Sequence, residues 1–188
     1  MRTDRLARLV VLALVILGAA PSAASAAEYY LKIPGVEGES TALRHEREID
    51  VVSFSWGLVA ESAPQAGRVR FNDLTVVKRV DASSPRLFQA AATGERFRSG
   101  RLAMRRPGGR APFDFLDYCM EDVAVMSYRP SGGPGDAVPT EEVSLRYGTF
   151  SLQYRAQRAD GSAGPPIFSG WNVVANRLLT AFSAGCGS

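Results

Sequence analysis

Tyr30-Leu31-Lys32-Ile33-Pro34-Gly35-Val36-Glu37-Gly38-Glu39-Ser40, followed by His45-Glu46-Arg47-Glu48-Ile49-Asp50-Val51-Val52-Ser53-Phe54-Ser55-Trp56-Gly57, is the stretch on which the fold turns. Pro34-Gly35 ends a short strand over 28–33, since proline lacks an amide donor and glycine suits a turn. From Glu48 to Leu58 the side chains alternate. Val52, Phe54, Trp56 and Leu58 fall on one face, and Ser53 and Ser55 on the other. A period of two is that of a half-buried antiparallel strand, not of a helix. Between the two strands lies a charged polar loop, Glu37 to Glu48.

The same alternation continues downstream. Arg68–Val80 carries Val69 and Phe71 in phase, and its phase slips at Asn72-Asp73, which predicts a bulge. Arg98–Arg106, Phe113–Tyr128, Glu142–Arg155 and Ile167–Val173 complete seven predicted strands. Glu142–Arg155 changes phase at Gly148, and Ala63–Gly67, Ser131–Asp136 and Asp160–Pro166 read as loops or turns. One helix is expected, with Ser84 as N-cap, Pro85 in its first turn, Leu87, Phe88 and Ala91 as its apolar face, and Gly94 as its C-terminal stop. Seven strands and one short helix predict a mainly β chain, an antiparallel β-barrel of two packed sheets.

Residues 1–26 have another character. Arg2, Arg5 and Arg8 precede the apolar run Leu9–Ala20, Pro21 breaks it, and Ala24-Ser25-Ala26 supplies small residues. This is the layout of a secretory signal peptide, and the run is shorter than the roughly 20 residues a spanning helix needs. The expected organisation is a signal peptide over 1–26, a barrel domain over 27–177 and a tail over 178–188, with no stable membrane insertion. Removing residues 1–26 takes away three Arg and one Asp, which lowers the formal net charge from +3 to +1. A near-neutral domain is a poor nucleic-acid binder. The Arg run Arg96, Arg98, Arg101, Arg105, Arg106 and Arg110 has only Phe97 interleaved for base stacking.

Catalytic groupings are sparse. The chain has a single histidine, His45, and no Cys-x-x-Cys, so neither a metal site nor a cofactor is expected. There is no Gly-x-Ser-x-Gly nucleophile motif. Glu121-Asp122 and Glu141-Glu142 are adjacent on strands and point to opposite faces, which suits surface charge rather than a convergent acid–base pair. Cys119 and Cys186 permit one disulfide in an exported protein; free thiols, or pairing of Cys186 with another protomer, are the alternatives. The intramolecular bridge would close a loop of about 68 residues, worth roughly 4 kcal/mol.

The stretch from Tyr30 to Gly57 resembles the opening of the haemolysin-coregulated proteins (Hcp), tube subunits of the type VI secretion system. Gly67-Arg68-Val69 with Leu74 to Phe88, Thr93-Gly94-Glu95, Tyr118, Glu121 to Val123, Ser127-Tyr128, Pro139 to Leu145 and Gly170-Trp171-Asn172 are similar to later family segments, in order. The resemblance implies a structural, non-enzymatic protein forming hexameric rings that stack into a tube. It also implies contacts with a spike protein and small effectors as cargo. It makes Gly38, Glu39, Ser40 and His45 part of an assembly loop. A monomeric secreted β-domain binding a surface polymer or host protein is the alternative. With residues 1–26 cleaved, the expected location is secreted or periplasmic.

Overall fold

The computed structural model describes residues 26–60, 69–106 and 112–180. Among them, the strands are β1 (Glu28–Lys32), β2 (Ile49–Ser55), β3 (Leu58–Ala60), β4 (Val69–Phe71), β5 (Leu74–Arg79), β6 (Arg96–Arg106), β7 (Phe113–Ser131), β8 (Thr140–Arg146), β9 (Thr149–Gln157), β10 (Ala163–Asn172) and β11 (Arg177–Leu178). The helix α1 spans Ser84–Thr93. Six of these strands pair in a closed antiparallel ring, β7–β6–β1–β2–β5–β8–β7. Closure leaves no free edge within the barrel. The expected barrel with one short helix is the fold.

The 19-residue β7 organises everything else. Its first half pairs with β6 on one side and β9 on the other, and its second half pairs with β8. β8 and β9 therefore run as one line along β7, interrupted at Tyr147-Gly148. Opposite the interruption Asp122 adopts φ 56°, and the Gly148 amide donates to the Glu121 carbonyl at 2.9 Å. A Cβ at Gly148 would lie 3.2 Å from Asp122, a tight contact. Beyond the barrel, β9, β10 and β11 form a flap. Pro165 and Pro166 sit in β10, where the pairing with β9 shifts register.

Leu31, Ile33, Ile49, Leu74, Val76, Leu102, Met120, Val123, Val143 and Leu145 fill the barrel, and α1 packs on β7 and adds Leu87 and Ala90. An aromatic layer extends this core toward the flap. Trp56 stacks on Phe150 with ring centres 4.2 Å apart and planes 4° from parallel. Tyr118 and Tyr147 also contact Phe150.

Several sequence expectations change in detail. The strand expected over Glu48–Leu58 is two, β2 and β3, broken at Trp56-Gly57. A register shift between Val51 and Ser53 turns Val51 inward and leaves Val52 exposed; Leu58 is exposed too. The bulge expected at Asn72-Asp73 is a full break between β4 and β5. The helix is capped at Ser83 rather than Ser84, without a side-chain cap bond, since the Ser83 hydroxyl donates to Asp81 at 2.5 Å instead. Its buried face is Leu87 and Ala90, not Phe88, which is exposed. Gly94 does terminate it, at φ 69°. The turn expected to end at Pro166 is shorter, since β10 already begins at Ala163.

Candidate functional site: an anchored loop and two exposed apolar surfaces

The loop between β1 and β2 is folded back on itself. Gly38 and Arg47 pair through the backbone at 2.9 Å, and the amides of Ser40 and Arg47 donate to the carbonyls of Glu48 and Ser40. Arg44 and Arg47 take positive φ to make the tip. Gly38 lies so close to β2 that a Cβ would sit 2.4 Å from the Glu48 carbonyl oxygen, so only glycine fits. Glu39 accepts from the Ala82 amide at 3.1 Å, tying the loop to the turn before α1.

His45 is the anchor. It is fully buried, stacked on Tyr30 at 4.1 Å, with Nδ1 2.6 Å from Glu48 and Nε2 3.0 Å from Asp114 of β7. An ionised carboxylate only accepts, so this geometry favours the imidazolium, in which both ring nitrogens donate. Burial alone would lower its pKa; the hydrogen bonds to Asp114 and Glu48 outweigh this and raise it above 6.5. Burial likewise works against Asp114, yet His45 and Arg101 hold its carboxyl at about 2. Burial raises the Asp117 carboxyl, against the pull of the Arg101 charge. Arg105 completes the cluster. It donates to the Leu43 carbonyl at 2.6 Å and places its guanidinium 5.3 Å from the Tyr30 ring centre.

This charge pattern has a testable sign. The folded His45 pKa is raised, so its stabilisation is complete below 6.5 and is lost as pH climbs through the folded value. The unfolding midpoint of the protein should therefore fall on the alkaline side of 6.5, and the slope should flatten in His45→Gln. A midpoint indifferent to pH from 6 to about 9 would exclude the imidazolium.

Of the loop residues singled out from sequence, Gly38, Ser40 and His45 are buried within their own chain, while Glu39 is exposed. The outward apolar side chain of the tip is Leu43, beside the exposed Arg44, Glu46 and Arg47. Two apolar surfaces were not legible from sequence. Among the described residues the β3–β4 ribbon pairs only with itself and exposes Leu58 and Val59, the latter 59% accessible. The flap exposes Tyr154 and, directly opposite it in register, Ile167 at 66%.

A buried charge cluster lies at the barrel end beneath α1. Lys78 and Glu141 face each other across β5 and β8, 0% and 1% accessible, with Nζ 2.6 Å from Oε1. The ammonium also donates to Asp81 and to the Arg79 carbonyl, each at 2.8 Å. Glu141 accepts from Ser84 at 2.9 Å and from Tyr128 at 2.6 Å. This corrects the expectation of surface charge for Glu141. Alternation held the signal: Leu74, Val76 and Lys78 share the inward phase of β5, and Glu141, Val143 and Leu145 that of β8. The other three carboxylates of those pairs do lie toward the surface. Asp122 pairs with Arg96, Glu142 with Arg129 at 3.3 Å, and Glu121 accepts from Thr149.

Among the described residues no three His, Cys, Asp or Glu side chains are grouped to hold a metal ion, and no helix is long and apolar enough to cross a membrane. Residues 1–25 and Cys186 lie outside the described residues. Cys119 is half-buried on β7, opposite Arg101 and Ser151, and is not a free thiol.

Comparison with known proteins decides the family. The profile described as "Type VI secretion system effector, Hcp" matches residues 30–154, which is every strand from β1 into β9. The chain belongs to the Hcp family. It is 33% identical over 158 residues to Protein hcp1 of Pseudomonas aeruginosa, covering 80% of this chain and 98% of the relative. The crystal structure of Hcp1 from Salmonella typhimurium is 31% identical and superposes with a TM-score of 0.71, covering 82% of this chain and all of that one. A structure titled as a type six secretion system protein gives 0.76 at the same identity and coverage. The Hcp fold thus accounts for the barrel, the helix and the flap. Hcp proteins are secreted components of the type VI system, and that coarse role belongs to this chain.

Proposed function

We propose that this chain is exported after removal of residues 1–26 and assembles into six-membered rings that stack into a tube, without catalysing a reaction. The observation that carries the reading is the pair of distinct apolar surfaces, Leu58 and Val59 on the ribbon and Tyr154 and Ile167 on the flap. Two different patches on one chain suit a heterologous contact, ribbon of one copy on flap of the next, which closes into a ring when the rotation allows. The anchored loop, with Glu39 and Leu43 outward, then offers a separate contact for the adjacent subunit or ring. The only imidazole in the chain is held between two carboxylates, which leaves it no role as a general base. A ring lumen carrying small proteins, and a spike at the tube end, complete the reading.

Native mass spectrometry of residues 27–188 at micromolar concentration should give a hexamer. Val59→Asp should shift the population to monomer while the circular dichroism spectrum is unchanged. A wild-type chain that stays strictly monomeric would overturn the proposal.

A further inference from the structure

We propose that His45 is a proton-operated latch: loss of its proton hands the Asp114 carboxylate from the His45 ring to Arg105 and releases the tip of the β1–β2 loop, residues 42–46, from β7. The structure holds that carboxylate between two donors. Asp114 Oδ1 accepts from His45 Nε2 at 3.0 Å and lies 3.6 Å from Arg105 Nε. Among the described residues, Arg105 Nε is the one buried side-chain polar atom without a hydrogen-bond partner. A buried donor left unpaired is costly, so it stands ready to take the oxygen. Arg101 donates to the other oxygen, Oδ2, and gives the carboxylate a point about which to turn.

The ring chemistry sets the direction of the handover. An imidazolium donates from both nitrogens, whereas a neutral imidazole donates from one and presents a lone pair at the other. An ionised carboxylate beside that lone pair is repelled. Glu48 is three residues from His45, with its carboxylate 2.6 Å from Nδ1, and its amide donates to the His45 carbonyl at 3.0 Å. Asp114 is 69 residues away on another element. The local bond travels with the loop, so Nδ1 keeps its proton and Nε2 gives one up to solvent. Asp114 then turns to Arg105 Nε. Nε and Nη2 share one edge of the planar guanidinium, an edge on which carboxylates seat. Nη2 is the donor that holds the Leu43 carbonyl at 2.6 Å, so a carboxylate arriving there competes with the loop for it. One proton thus unties the tip from β7 and weakens its tie to β6.

Every element packed on the ring contributes charge. Glu48 and the exposed Glu46 belong to the loop, Asp114 and, behind it, Asp117 to β7, and Arg101 and Arg105 to β6. Tyr30 of β1 stacks on the ring, with Glu28 on its hydroxyl and Asp50 of β2 nearby. Burial and Glu28 push the Tyr30 hydroxyl up to about 12, so it stays neutral while His45 titrates. The two carboxylates in contact with His45 hold its proton above 6.5, so the latch is shut at neutral pH and opens on the alkaline side. For copies that meet through the outward Leu43, opening loosens their contact; that consequence rests on the ring reading, and the latch itself does not.

The test uses the protein purified after expression of the full chain, labelled with nitrogen-15 and titrated from pH 6 to about 10. The chain has one imidazole, so its ring signals need no assignment. Both ring nitrogens should carry protons at pH 6, and Nε2 alone should lose its proton at a midpoint above 6.5. With the base-catalysed rate divided out, hydrogen-exchange protection of the Ala42 and His45 amides should fall roughly tenfold or more at the same midpoint. The Gly38 and Ser40 amides, bonded to the loop base, should keep theirs. In His45→Gln the protection at Ala42 should not vary with pH. Arg105→Lys keeps the charge but lacks the Nε edge, and should move the ring midpoint upward. A neutral ring protonated at Nε2, tip protection that ignores the ring titration, or a simultaneous loss at Gly38 and Ser40 would each overturn the latch. An unmoved midpoint in Arg105→Lys would overturn the handover. These readouts are made on the loop itself, so a monomer that shows them sinks the ring reading and leaves the latch standing.

Discussion

Lys78→Ala is expected to cost about 3–5 kcal/mol of folding stability, because it strands the Glu141 carboxylate in the barrel end without a counter-charge. At about 2–4 °C per kcal/mol for a domain of this size, the melting temperature should fall by roughly 6–20 °C. The same reasoning makes the paired replacement Lys78→Met with Glu141→Leu much milder. It removes both charges of the pair together; the Ser84 and Tyr128 hydroxyls and the Arg79 carbonyl must find other partners, while Asp81 keeps its bonds from Ser83. Chemical denaturation of wild type, single variant and double variant reads the difference directly. A single variant within about 1 kcal/mol of wild type would mean that water reaches Glu141 and that the cluster is not truly dry.

Phe150→Ala should cost a similar amount, about 3–5 kcal/mol, for a different reason. Phe150 is buried at the start of β9, where it is stacked by Trp56 and touched by Tyr118 and Tyr147. Its loss opens a cavity at the junction of barrel and flap, and frees the indole whose N–H donates to Tyr147. Denaturant unfolding should show the loss of stability, and Trp fluorescence of the folded variant should shift to longer wavelength as Trp56 gains water. Phe150→Leu, which fills most of the space, should lose less than half as much. Equal losses in the two variants would point to the stacking geometry, rather than the volume, as the source of stability.

The barrel was legible because its information is local. Strict alternation on β5 and β8, Gly94 after α1 and the turn residues each act within a few positions. The phase slips at Asn72-Asp73 and Gly148 fall where the structure breaks the strands, although alone they suggest only a bulge and a phase shift within continuous ones. Val52 was misplaced because a register shift is a property of two strands, and β5 cannot be seen from β2 alone. The role of His45 was hidden for the same reason. Asp114 is 69 residues away, and only the β6–β7 hairpin brings it to the loop. Lys78 and Glu141 were available from alternation, but the usual preference of charged residues for water pointed the other way. Ribbon and flap exposure needed the topology itself, since an apolar strand residue reads alike whether or not another strand covers it.

The two prolines of β10 have a consequence for how copies of this chain can meet. Among the described residues β11 pairs with Trp171 and Asn172, the Leu179 amide bonds Gly170, and no strand pairs with the outer side of β10 at Pro165 to Ile167. Neighbouring residues on a strand aim their amides in opposite directions. Successive prolines therefore delete one donor toward β9, where the register slips, and one toward the open side. A foreign strand arriving there finds a gap in the hydrogen-bond row it would need to zip on. Growth by sheet-to-sheet annealing, the hazard of any β protein at high local density, is disfavoured at that border, and the ring proposed above would have to close through side-chain surfaces.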